Sequence, residues 1–302
     1  MRRLVRLACA LAAAAACGAA SAAPPEWAEA LTGRLQRIKE TGIVRIGYRE
    51  GAVPFSYRGP DGKPVGYSLE LCDAIVATIA EDLAVRRLTV EYVRVTPQDR
   101  IDQVVSGAVD LECGSTTNTE ARRRQVAFSP VIFVTGTRIA VPRVSAIKGV
   151  GGLSGRKVTV VRGTTNEAAM REIDRLRKLG IVFVAAYGYP EALALLDSGK
   201  AEALAADDVL LRGVLVELGR TRDFKLVGEL LSFEPYGIMY PRDDPALAEV
   251  VDRTLRALAA SREIVWIYNR WFVRPLPSGG RLDMPMSVQL RRSFELIGLP
   301  PD

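Results

Sequence analysis

Short apolar, β-branched runs alternate along this chain with longer stretches whose apolar positions recur every three to four residues, the signatures of strands and of helices that bury one face. Residues 43–49 (IVRIGYR) read as a strand, and residues 67–83 as an amphipathic helix with Cys72, Ile75, Val76, Ile79 and Leu83 on one stripe. Residues 88–95 (LTVEYVRV) read as a second strand, residues 98–106 as a short helix, and residues 109–113 as a third strand that stops at Gly114. Beyond Phe128 the pattern changes: residues 131–141 (VIFVTGTRIAV) are extended, apolar and long enough to cross between two bodies. A second alternation follows, with strands at 157–161, 181–186, 201–206 and 224–227 and helices at 165–179, 190–198 and 209–218. Residues 236–240 (YGIMY) supply a return crossing, and helices at 245–260 and 262–272 close the fold. Such alternation predicts an α/β fold of two mostly parallel sheets joined by a two-crossing hinge, with ligands beyond the carboxyl ends of the strands. The first lobe is expected to hold residues 23–134 plus 236–302 and the second residues 135–235.

The N-terminus changes that picture by subtraction. Residues 1–22 carry Arg2, Arg3 and Arg6, then an Ala/Leu-rich run, then Ala20-Ser21-Ala22, which reads as a secretory signal cut after Ala22. Cys17 raises a lipoprotein alternative, but the residues before it lack the leucine expected at the start of a lipid-attachment motif. No later segment offers about 18 uninterrupted apolar residues, so an exported, periplasmic protein is expected. Removing the signal takes away three arginines and no acid and lowers the formal net charge from +6 to +3, a mild balance that argues for no nucleic-acid partner. The chain has no histidine, which excludes histidine-based triads and histidine metal sites. Cys72 and Cys113 remain after cleavage, either bonded in an oxidising compartment or simply buried.

Candidate chemistry gathers in residues 110–125 (DLECGSTTNTEARRRQ), where a strand gives way to small polar residues and then to three arginines. Thr117 and Glu120 have capping-box spacing, which predicts a helix beginning at Asn118 with its amides facing the turn. Side chains on a helix lean toward its N-terminus, so Arg122 can swing back over the same spot. Ser115, Thr117 and Arg122 then form a carboxylate pocket; the plainer reading is a capped helix with a solvated arginine face. Arg49 and Arg100 fall at or near other strand ends. In the second unit Asp207 and Asp208 end a strand, each able to cap the following helix, and Arg162-Gly163-Thr164-Thr165 makes another strand-to-helix turn.

The order of elements resembles the periplasmic solute-binding proteins of polar amino-acid ABC importers, bacterial extracellular solute-binding family 3, over nearly all of the mature chain. GYSLELCDAIVATI is similar to that family's helix signature, with Ser68 where most members have an acid. DLECGSTTNTEARRRQVAFS, GYREGAVPFSY, AADDVLL, EPYGIMYPRDDP and the tail RLDMPMSVQLRRSFE resemble its glutamate/aspartate-binding branch. The resemblance implies a two-lobed periplasmic binding protein-like (type II) fold and a monomer without cofactor that passes a free amino acid, preferably acidic, to ABC permease subunits. It assigns the ligand α-carboxylate to Arg122, Ser115 and Thr117, the ammonium to Asp207, and an acidic side chain to Arg49 and Arg100, with Thr164 retained from the branch pattern. Pro97, Val161, Arg162 and Tyr189 depart from it, standing where serine, threonine, serine and histidine are usual, and imply a reshaped side-chain pocket. Ala52 fits the acidic branch. A dehydratase-like enzyme on the same fold and a ligand-presenting partner of a chemosensory receptor are the alternatives; without histidine, an enzyme would depend on carboxylates, lysine or tyrosine.

Overall fold

A computed structural model describes residue 31 and residues 33–301; the signal segment, Cys9 and Cys17 lie outside the described residues. The first unit runs α1 (Gly33–Thr41), β1 (Ile43–Tyr48), β2 (Gly51–Ala52), β3 (Ser56–Arg58), β4 (Pro64–Val65), α2 (Tyr67–Asp82), β5 (Thr89–Arg94), α3 (Arg100–Val105), β6 (Leu111–Glu112), α4 (Glu120–Arg123) and β7 (Val126–Phe128). The second contains β9 (Thr137–Pro142), β10 (Lys157–Val161), α5 (Thr165–Arg177), β11 (Val182–Ala186), α6 (Tyr189–Asp197), β12 (Ala203–Asp207), α7 (Asp208–Glu217) and β13 (Phe224–Val227). Between them lie β8 (Phe133–Thr135) and β14 (Glu234–Tyr236), and the chain ends with β15 (Met239–Pro241), α8 (Pro245–Ala260), α9 (Glu263–Phe272) and α10 (Val288–Glu295).

The first sheet has the order β5-β1-β6-β15-β7 and the second β11-β10-β12-β9-β13. In each sheet every strand but one points the same way. The exception is the strand adjoining a crossing: β15 runs antiparallel to β6 and β7, and β9 antiparallel to β12 and β13. The crossings themselves pair as an antiparallel ribbon, with Glu234 opposite Thr135 and Tyr236 opposite Phe133. A ribbon of two short strands is thin enough to twist while each sheet stays intact.

Helix α2 packs its predicted stripe, Cys72, Ile75, Val76, Ile79 and the C-cap Leu83, into the first core, with Leu71 added beside it. Cys72 and Cys113 are both buried and disulfide-bonded, Cα to Cα 6.4 Å, so the two readings of these cysteines hold together. The bond ties α2 to the first residue after β6, and Ser68 Oγ adds a hydrogen bond to the Gly114 carbonyl at 2.7 Å.

Two expectations need correction. The third strand is only Leu111–Glu112, and α4 begins at Glu120, not at Asn118. Thr117 bridges to Tyr236 of the hinge and the Asn118 amide donates to the Pro235 carbonyl, which keeps the backbone extended through those residues. Thr119 becomes the cap, its side chain accepting from the Arg122 amide at 3.3 Å. A four-residue helix carries little dipole, so the anion-attracting amides inferred from a longer helix are not what this turn offers.

The two units touch closely. A β-carbon at Gly213 of α7 would lie 2.0 Å from the Val53 carbonyl oxygen, so the approach of α7 to the β2 loop requires glycine there. The tail after α9 crosses to the second unit, where Ser278 Oγ donates to Glu217 Oε2 at 2.7 Å.

Candidate functional site

Parallel strands β1 and β6 end at one edge of the first sheet, and the chain leaves that edge carrying charge. Arg49 follows β1, Arg100 opens α3 and Arg122 sits in α4; they are 4%, 2% and 8% exposed. None of the three forms an ion pair among the described residues. Buried arginines normally have a carboxylate partner, because desolvating an isolated cation costs several kcal/mol, about 3–5 when a partner is removed. Burial depresses the Arg49 pKa and then the nearby Arg100 charge depresses it further. The same two causes, in the same order, push Arg122 down to about 10.

Their hydrogen bonds are sparse. Arg122 leans back along its short helix, as the sequence suggests, donating to the Thr117 carbonyl at 2.8 Å and reaching across to the Gly163 carbonyl at 3.4 Å. Arg100 approaches the Ser115 carbonyl at 3.5 Å. Arg49 Nη1, Arg100 Nε and Ser115 Oγ are buried with no protein partner. Arg123 and Arg124 point outward to Asn118 and Glu120, so the solvated-face reading is right for those two.

From the second sheet, β12 ends at Asp207, 3% exposed. It occupies the N-cap position of α7, but its side chain makes no capping bond. Its oxygens instead accept from Asn166 Nδ2 at 2.9 Å and from the Tyr236 hydroxyl at 2.6 Å. Burial, and then the charge of Glu234, push Asp207 up to about 7. Asp208 turns away and pairs with Arg138 and Arg212. Thr164 caps α5, accepting from the Glu167 amide at 3.2 Å and donating to the Val161 carbonyl at 2.7 Å. Tyr189, buried at the start of α6, lies 5.9 Å from the Arg49 guanidinium, so its ring face supports that cation.

The two halves also meet directly. Gln98 Nε2 donates to the Arg162 carbonyl at 2.5 Å, and the Thr117 and Thr165 hydroxyls are 3.2 Å apart. Thr165 donates to Glu234 at 2.6 Å, which leaves Thr117 as the donor of that pair. At the mouth a cavity of about 280 Å³ is lined by Arg49, Arg94, Pro97, Tyr187, Tyr189 and Glu191. Of the departing positions, Pro97 and Tyr189 line it, Val161 is buried in the sheet and Arg162 reaches outward over Tyr187 at 5.8 Å.

The expected site set three arginines, Arg49, Arg100 and Arg122, against the single carboxylate Asp207, but Glu112 and Glu234 are buried in the same region. It also missed Asn166 and Tyr236, the partners of Asp207. Among the described residues no cluster of three His, Cys, Asp or Glu side chains has metal-holding geometry, and no helix is long and apolar enough to cross a membrane.

Comparison with known proteins places this geometry in a wider set. Residues 44–274 match the bacterial extracellular solute-binding proteins, family 3. An L-glutamate/L-aspartate-binding protein of Pseudomonas aeruginosa is 40% identical over 286 residues, 94% of each chain. A glutamate/aspartate import solute-binding protein of Escherichia coli K12 is 34% identical over 262 residues, 86% of this chain and 87% of that one. Among solved structures, a mutant of an arginine-binding protein from T. maritima superposes with a TM-score of 0.72 at 26% identity, covering 80% of this chain and all of that one. An ancestral amino acid-binding protein described as a precursor of cyclohexadienyl dehydratase gives 0.69 at 25% identity, covering 79% of this chain and 99% of that one.

Proposed function

The chain belongs to the bacterial extracellular solute-binding proteins of family 3, and from that premise we propose that it is a periplasmic binding protein of an ABC importer that takes up glutamate or aspartate. The observation that carries the reading is the group of three buried arginines, none in an ion pair among the described residues, together with one buried aspartate from the second sheet. An acidic amino acid has two negative groups and one positive group, and the cleft answers each. Arg122 and Ser115, with Thr117, meet the α-carboxylate; Asp207 meets the ammonium; Arg49 and Arg100 meet the side-chain carboxylate. The names of the two glutamate/aspartate-binding relatives support that choice.

Closure is a hinge motion of residues 135–235 against the rest. Ligand favours the closed form only through contacts it makes better there, and in this assignment those are the contacts from Asp207. An aspartate held near neutrality also suits a general acid or base. Here Asn166 and Tyr236 each donate to one of its oxygens, which orients the carboxylate toward a cation such as the ligand ammonium.

The test is a thermal-unfolding screen of the mature protein against the twenty amino acids. Ligand at 100 times its dissociation constant adds about 2.7 kcal/mol, a shift of several degrees that should appear with glutamate and aspartate. A screen in which no amino acid raises the melting temperature overturns the reading.

A further inference from the structure

One charged side chain beside the buried arginines has no task in that assignment. Glu112, the last residue of β6, is fully buried. Its Oε2 accepts the Thr116 hydroxyl at 2.6 Å, and its Oε1 has no protein partner. The side chain folds back over Gly114: a β-carbon there would lie 2.2 Å from Glu112 Oε1 and 3.1 Å from Arg49 Cγ. The free oxygen and the arginine stem therefore meet above the one residue of the turn that has no side chain. The charge of Glu112 favours protonated Arg49 and Arg122 against their burial, yet it forms an ion pair with neither among the described residues.

A buried carboxylate with one oxygen free, set beside buried guanidinium nitrogens also free, is a polar site left incomplete on both sides. A group that completes it offers an acceptor to Arg49 Nη1 and a donor to Glu112 Oε1. A ligand carboxylate has acceptors only, whereas a carboxamide carries an acceptor and a donor on the same carbon. We propose that Glu112 is a specificity-determining residue whose free oxygen fits the cleft to carboxamide-bearing amino acids, such as glutamine or asparagine, alongside acidic ones. This rests on the amino-acid-binding function proposed above and refines which side chains it admits. An acidic ligand gains the full attraction of the arginines and faces the Glu112 charge. An amide ligand attracts the arginines less and gains Glu112 as an acceptor. Glu112 thus brings the two classes closer in affinity than three arginines alone would leave them.

Glu112→Gln tests this, because Thr116 keeps an oxygen to donate to while the free position becomes an NH2 donor. Dissociation constants for glutamate, aspartate, glutamine and asparagine are measured by calorimetry on the mature parent protein and the variant. The ratio of amide to acid dissociation constants is expected to rise about tenfold or more, since a site built around a ligand N–H loses its partner. If that variant does not fold, Glu112→Asp, which keeps the charge but withdraws the oxygen, should raise the same ratio. Acid and amide affinities that change by equal factors, or not at all, overturn the inference and leave the function standing. So does a parent protein that binds glutamate but gives no heat with glutamine or asparagine. A parent that binds none of the four overturns the function and this inference with it.

Discussion

The two sides of the cleft solve the same problem in opposite ways. On the second-sheet side the polar groups satisfy one another: Asp207 has two partners, Asn166 bonds both Asp207 and Thr137, and Glu234 accepts from Ser232 and Thr165. On the first-sheet side Arg49, Arg100, Ser115 and Glu112 each keep a buried polar atom without a protein partner. Unpaired buried groups are costly, about 1–3 kcal/mol each and more when charged. That cost is recovered when a ligand supplies the partners. The difference teaches that, in the proposed binding role, the first side holds its unpaired groups in reserve for a ligand, while the second holds one charge in a fixed place.

If that contrast is right, pH should act through the second side. A carboxylate raised from its ordinary range to about 7 favours the protonated folded state. The ligand-free protein should therefore lose stability as pH rises from about 4 to about 7, by about 1.4 kcal/mol for each unit over which Asp207 ionises only in the unfolded chain. Chemical denaturation of Asp207→Asn across this range should show that part of the slope removed. Ligand ammonium favours the ionised form, so binding should tighten over the same window, read as proton release in calorimetry.

The first side should depend more on covalent support. The Cys72–Cys113 bond closes a span of 41 residues and anchors the turn that carries Glu112 to Thr117. Replacing both cysteines with alanine should lower stability by about 2–4 kcal/mol and weaken ligand binding with it. Melts in which stability falls but affinity is untouched would show that the turn holds its shape unaided.

Arg49→Ala sharpens the contrast within the first side. Loss of a charge facing the ligand side chain should weaken glutamate about tenfold or more beyond its effect on glutamine, and equal losses for the two would remove Arg49 from side-chain recognition. Smaller still, Thr119→Ala removes the cap of α4 and should cost about 1 kcal/mol of stability, measured by denaturant midpoint, with little change in affinity.

Much of this architecture was legible because strand and helix periods differ. The alternation in residues 43–128 and 157–227 stands where hydrophobic spacing put it, but the return crossing is displaced: the ribbon strand is Glu234–Tyr236, and Met239–Pro241, the end of the expected crossing, is already a strand of the first sheet. Helices α1 and α10 were missed; both are short, and α10 buries only Leu290 and Phe294. The start of α4 was misread because Thr117 is held by Tyr236, a partner that local spacing cannot reveal. The arginines and Asp207 were legible as charges at strand ends. Glu112 was not, because a strand pattern does not show that its last side chain folds back over a glycine. Nor were Asn166, Glu234 and Tyr236, which converge from α5 and β14 only once the hinge ribbon forms.

The most direct test of the central claim compares glutamate with glutarate, which lacks the amine, on the parent protein and on Asp207→Ala. The account predicts that the parent strongly prefers glutamate and that the variant, still folded by circular dichroism, binds the two alike. A preference for glutamate that survives the substitution would contradict the assignment of Asp207 to the ammonium.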